Sequence, residues 1–155
     1  MNSVTKEKYT RYSVFSVSGK LFGLEMSAVR EVLSSPKVTL LPNVPSHVLG
    51  VYNLRGNILS LVDIRKILGL NSSTDQKFDV VMLVESSKSL ISFVVEKVLD
   101  FVNVENSKIK EPSKDISARL AYFVRGIYDS GTIGQIYLLE TENFLNSNVL
   151  FIQDS

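Results

Sequence analysis

Short apolar runs alternate with turn residues along most of this chain, and that spacing leaves few folds open. Roughly five strand candidates fall within residues 11–63 and roughly five within 78–139. "YSVFSV" and "LFGLEM" flank Ser18-Gly19-Lys20, a hairpin signal. "VYNL" and "NILSLV" flank Arg55-Gly56 and read as two strands joined tightly. "FDVVMLVE" and "LISFVVEKV" flank "SSKS"; apolar residues throughout Val80–Val84 predict burial on both faces. "YFVRGIYDSGTIGQIYLLE" reads as a further strand pair, and "VLFIQ" as a last strand. Many short strands with only small helices predict a mainly β barrel or sandwich architecture.

Helical signals are few. Asp63 caps a turn whose apolar face is Ile64, Ile67 and Leu68, and Gly69 stops it. "TENFLN" reads as a terminal helical turn. In "SAVREVL", Val29, Val32 and Leu33 stand at i, i+3 and i+4 after Ser27, which predicts a short helix; the β-branched residues leave strand open. Pro45 can start one helical turn that Gly50 ends in a left-handed conformation. Residues 103–119 read mostly as loop, and no residue-level repeat links the halves. The polar stretch 71–77 can divide two small barrels, with strands free to cross it, and residues 1–10 read as a flexible tail.

Composition narrows the chemistry. Seventeen basic and sixteen acidic residues leave a charge of +1, without the basic excess of a nucleic-acid binder. No cysteine is present, so thiol nucleophiles and thiolate metal sites are excluded. His47 is the one histidine and reads as a surface turn residue; a two-histidine metal site is excluded. No Gly-rich phosphate loop or nucleophile elbow appears. No run reaches membrane-span length, and the N-terminus lacks a signal-peptide core, which predicts a cytoplasmic protein. What remains is binding by apolar side chains on short elements. On pattern alone Val29 and Val32 read as core, and Arg30 and Glu31 as a solvated face.

One passage is more specific. "GVYNLRGNILSLVDIRKILGL", Gly50–Leu70, resembles the signature of the CheW-like domain family of bacterial chemotaxis coupling proteins. Gly50, the run Asn53-Leu54-Arg55-Gly56, Asp63 and Arg65 fit it. "VREVL" with "LPNVPSHVLG" resembles the preceding segment, and "ISFVVEKVLDFV" and "GQIYLLETENFL" the later ones. The likeness runs from Arg11 to Leu145.

The resemblance implies two intertwined five-stranded SH3-like barrels in one domain, residues 11–152. It implies no enzymatic activity and no cofactor. It implies an adaptor that bridges a CheA-type histidine kinase, through its regulatory domain, to the cytoplasmic tips of methyl-accepting chemotaxis receptors at membrane arrays. Val29, Val32 and Val98 match receptor-groove positions, which reverses the core reading. Glu31 and Arg55 match charged coupling positions, and their opposite charges predict an ion pair at the groove edge. Gly50, Asn53 and Gly56 match turn positions. Ser60 stands where many members have proline, and Ser92 where some have glycine. Two alternatives remain: a CheW-like adaptor of a non-flagellar chemosensory pathway, and a small β-barrel hydrolase or ligand-binding protein. The latter needs a pocket that gathers His47 or the carboxylates.

Overall fold

A computed structural model describes residues 8–70, 77–86 and 89–146. Eleven strands and three short helices are assigned among them. The first half holds β1 (Tyr9–Val17), β2 (Lys20–Glu25), β3 (Val29–Ser34), β4 (Val48–Leu54), β5 (Asn57–Val62) and α1 (Ile64–Leu68). The second holds β6 (Val80–Glu85), β7 (Leu90–Val95), β8 (Lys97–Val98), β9 (Val102–Glu105), α2 (Ala118–Phe123), β10 (Val124–Asp129), β11 (Gln135–Leu139) and α3 (Thr141–Leu145).

The two sheets exchange hairpins. One runs β10-β11-β2-β1-β8, with β9 also paired to β1; the other runs β3-β6-β7-β5-β4. The hairpin β1–β2 thus joins strands from the second half, and β6–β7 joins strands from the first. Both sheets draw strands from either side of residues 71–76, as intertwined barrels require. The order hairpin, edge strand, two strands and helix occurs twice along the chain. "VLGVY" at Val48–Tyr52 and "VRGIY" at Val124–Tyr128 fall at equivalent places, each with a bulge. Element order carries this repeat, which residue identity hides elsewhere.

The double-faced strands follow from this exchange. On β1, Tyr12 and Val14 enter one barrel, while Phe15 and Val17 enter a core shared by both sheets. On β6, Val81 faces the other barrel, while Met82 and Val84 face the shared core. Strands buried on both faces must be apolar at nearly every position. Phe93 lies in the shared core, with Phe15 at 5.6 Å and Phe144 edge-on at 5.5 Å between ring centroids.

Local signals explain several elements. Asp63 accepts the backbone N–H of Arg65 and caps α1, and Gly69 closes it with φ 73°. The face Ile64, Ile67 and Leu68 is fully buried. The loops Ser18-Gly19 and Arg55-Gly56 are two-residue turns with positive φ at both positions. That geometry matches the right-handed twist of a hairpin.

Other expectations are corrected. "SAVREVL" is not a helix: a single 3-10 turn at Met26–Ala28 leads straight into β3. The Pro45 segment is a turn closed by Val48 N–H on Pro45 O at 2.9 Å, and Gly50 lies inside β4 without positive φ. Residues 103–119 include part of β9 and a 3-10 turn, and α2 begins at Ala118, where a strand had been expected a few residues on. Ser117 caps α2 by accepting Leu120 N–H, while Leu120 and Phe123 are buried. Tyr9 and Thr10 belong to β1 and not to a tail. The expected strand "VLFIQ", most of the 71–77 linker and residues 1–7 lie outside the described residues.

Gly50 has a packing reason. The segment at Thr39 crosses β4 and exchanges two backbone bonds with Val51, at 2.7 and 2.9 Å. A Cβ on Gly50 would collide with the Thr39 carbonyl oxygen. Gly50→Ala is therefore expected to cost about 1–3 kcal/mol, read as a lower midpoint in chemical denaturation. An unchanged midpoint would show that the crossing segment yields freely.

Candidate functional site

A β-bulge places the apolar side chains of β3. Val29 pairs with Val84, Glu31 with Leu83 and Val32 with Met82, so Arg30 is the extra residue. Residues three apart on a regular strand point to opposite faces. The bulge restores Val29 and Val32 to one face. Both then lie on the side where Val84 and Met82 enter the shared core.

From Val29 a row of neighbours crosses the sheet. Val84 pairs with Ile91. Leu61 pairs with Ser92 in parallel register, so Ser60 stands beside Ile91 one step back. Ser60 in turn pairs with Val51. Ile58 follows on the same face of β5 and is 65% exposed. Val98 lies on the other sheet, paired with Phe15. Val29 and Val98 are both partly buried against the shared core cluster. Val32, 46% exposed, is more open. Ile58 was not singled out in the sequence; the alternation Ile58, Ser60, Val62 was the signal for it.

The expected ion pair forms between β3 and the β4–β5 turn. Arg55 Nη2 donates to both oxygens of Glu31, at 2.5 and 3.0 Å. One nitrogen spans the carboxylate, so the contact is not the side-on fork of two nitrogens. The bond lowers the Glu31 carboxyl below its ordinary range and raises Arg55. The sign follows: the pair is intact at neutral pH and is lost as acid protonates Glu31 through its lowered pKa. Arg55 remains largely exposed, and exposed pairs contribute little stability. Its effect is geometric.

Arg55 is held in an unfavoured conformation. Its φ is 49°, a region where asparagine or glycine is easier to place. Asn53 Oδ1 accepts Gly56 N–H at 3.0 Å and braces the turn. Arg55→Asn relieves the backbone while removing the guanidinium. The expected Tm is unchanged or higher by about 2 °C. A clear fall in Tm would mean that the pair holds the fold.

Neighbouring departures are accommodated. Ser92 is fully buried, and its hydroxyl lies 2.5 Å from the Tyr52 hydroxyl. A glycine there would leave Tyr52 without that partner. Ser60 occupies the apolar row as its one polar member. Asp63 is buried and forked by Arg65 Nε and Nη2, each at 2.9 Å.

The hydrolase alternative needs His47 and a carboxylate in one cleft. A cleft of about 340 Å³ lies between the β8–β9 link and the β10–β11 loop, lined by Phe101, Tyr128 and Ile133 with Asp100. Another lies along Glu111, Lys114 and Arg125. His47 lines neither; it sits half-buried in the turn before β4. Among the described residues no group of three or more His, Asp or Glu gathers as a metal site. Among them, too, no helix is long and apolar enough to cross a membrane.

Comparison with known proteins places this architecture. The family model of the CheW-like domain matches residues 11–149. The chain is 31% identical over 114 residues to Chemotaxis protein CheW of Rhizobium meliloti (strain 1021), covering 73% of each protein. It is equally similar, 31% over 114 residues, to Protein PilI of Pseudomonas aeruginosa, covering 74% of this chain and 64% of that one. In fold it resembles the crystal structure of scaffolding protein TtCheW from Thermoanaerobacter tengcongensis. The TM-score is 0.75 at 24% identity, over 90% of this chain and 94% of that one. This chain belongs to the CheW-like domain family.

Proposed function

We propose that the chain is a non-catalytic adaptor that couples the cytoplasmic tips of chemoreceptors to a CheA-type histidine kinase. It works in the cytoplasm, recruited to receptor arrays, as one domain over residues 11–152 with two barrel subdomains. The observation that carries this reading is the set of accessible apolar side chains Val29, Val32 and Ile58 on one face of the sheet, edged by the Glu31–Arg55 pair, with Val98 half-buried on the other sheet. Accessible apolar side chains at Val29, Val32, Ile58 and Val98 suit the apolar face of a receptor helix. The ion pair gives that face a defined edge. Val29, Val32 and Val98 then contact the receptor, while Glu31 and Arg55 orient the turn beside it. Gly50, Asn53 and Gly56 hold the backbone that presents them.

The test is a pull-down from lysate with wild type and Arg55→Ala side by side. Wild type recovers a histidine kinase and receptors, and Arg55→Ala recovers less of them. Wild-type protein that recovers neither sinks the proposal. The likeness to Protein PilI supports a second reading, in which the same adaptor serves a non-flagellar chemosensory pathway. The identity of the recovered kinase separates the two.

A further inference from the structure

His47 sits in the turn before β4, beside α1. Its ring Nε2 is buried and has no hydrogen-bond partner among the described residues. Fixed bonds around it define a joint. Lys66 of α1 donates Nζ to Ser46 O at 2.9 Å. Asp63 N–H donates to His47 O at 2.8 Å. Arg119 of α2 donates Nε to Ile67 O at 2.6 Å, and its side chain lies against Gly69. The turn that carries His47 is thus tied to α1, and α1 is tied to α2. α1 follows β5 of the first half, and α2 leads directly into β10 of the second.

The charge around this ring is one-sided. Lys66 and Arg119 are the charged groups that act on the imidazole, and both are cations. Asp63 is the neighbouring carboxylate on the α1 side, and it spends both oxygens on Arg65. A proton added at Nε2 therefore finds no acceptor among the described residues and two like charges.

We infer that His47 is a proton-operated catch: the neutral ring lets α1 and α2 stay clasped, and protonation loosens the clasp at Arg119. The loosening passes to α2, which carries the exposed Tyr122, and from there to the edge strand β10. Adaptor geometry becomes sensitive to mild acid through a residue outside the docking row. Burial first, then the two cations, hold the imidazole below its ordinary 6.5. The unfolded chain thus binds the proton better than the folded one. The stabilisation is fully present above the ordinary value and is lost as pH falls through the lowered one.

The chain's single histidine makes the test direct. Proton NMR of the imidazole, from about pH 8 to about pH 5, reads its pKa in the full-length protein. Hydrogen exchange of the segments 64–70 and 117–123 over the same range, corrected for intrinsic rates, reads the clasp. The expected result is a pKa below the ordinary value and a several-fold loss of protection in both segments on acidification. His47→Gln, which cannot take the proton, is expected to abolish that pH dependence while folding normally at neutral pH. A pKa at or above the ordinary value overturns the inference. So does protection that is insensitive to pH in wild type, or a pH response that survives in His47→Gln.

Discussion

Phe93→Ala is expected to lower stability by about 3–5 kcal/mol and to leave a single unfolding transition. Phe93 is fully buried in the core that both sheets share, between Phe15 and Phe144. Truncation removes the ring and leaves a cavity beside Phe15 of β1 and Phe144 of α3. Domains of this kind are stable by about 5–15 kcal/mol, so the loss is a large fraction of the total. The single transition follows from topology. Each sheet holds a hairpin from the other half, so neither barrel can be completed alone. Denaturation followed by far-ultraviolet circular dichroism and by tyrosine fluorescence gives coincident curves if this holds. Two separated transitions would mean that the barrels fold independently despite the exchange.

The second large effect is on binding. Val29→Asp is expected to weaken receptor binding about tenfold or more, since loss of one apolar anchor costs ~1–2 kcal/mol. The carboxylate adds a desolvation cost at the shared core. Val29 is partly buried, so some stability is lost as well. Val32→Asp separates the two effects. Val32 lies on the same face but is more exposed, so its variant should fold as wild type does. Val98→Asp probes the same face from the opposite sheet. If all three variants bind as wild type does, the docking row lies elsewhere.

Much of the fold was legible because its signals are local. The Ser18-Gly19 and Arg55-Gly56 turns, the Asp63 cap and the Gly69 stop need only neighbours in sequence. The apolar run of β6 announced two buried faces. What the runs cannot state is which strand lies next to which, because periodicity specifies a face and not a partner. The exchange of hairpins was therefore legible only through the family resemblance, which implies intertwined barrels. Val29, Val32 and Leu33 imitated helical spacing because a bulge adds one residue to a strand. Gly50 imitated a helix stop because its true constraint, the Thr39 carbonyl, comes from a segment eleven residues away. α2 is six residues long, too short for periodicity to separate it from strand. The Arg55–Glu31 pair was anticipated from opposite charges, but its single-nitrogen geometry was not.

The most direct measurement of the adaptor role is calorimetric titration of the purified chain with two partners in turn. One is a receptor cytoplasmic tip, and the other is the regulatory domain of a CheA-type kinase. Interfaces of this kind bury about 800 Å² per partner. The account predicts measurable binding to both. It further predicts that Val32→Asp, folded and as stable as wild type, loses receptor affinity by about tenfold while it retains the kinase domain. Wild-type protein that binds neither partner, or a Val32→Asp variant with undiminished receptor affinity, would contradict it.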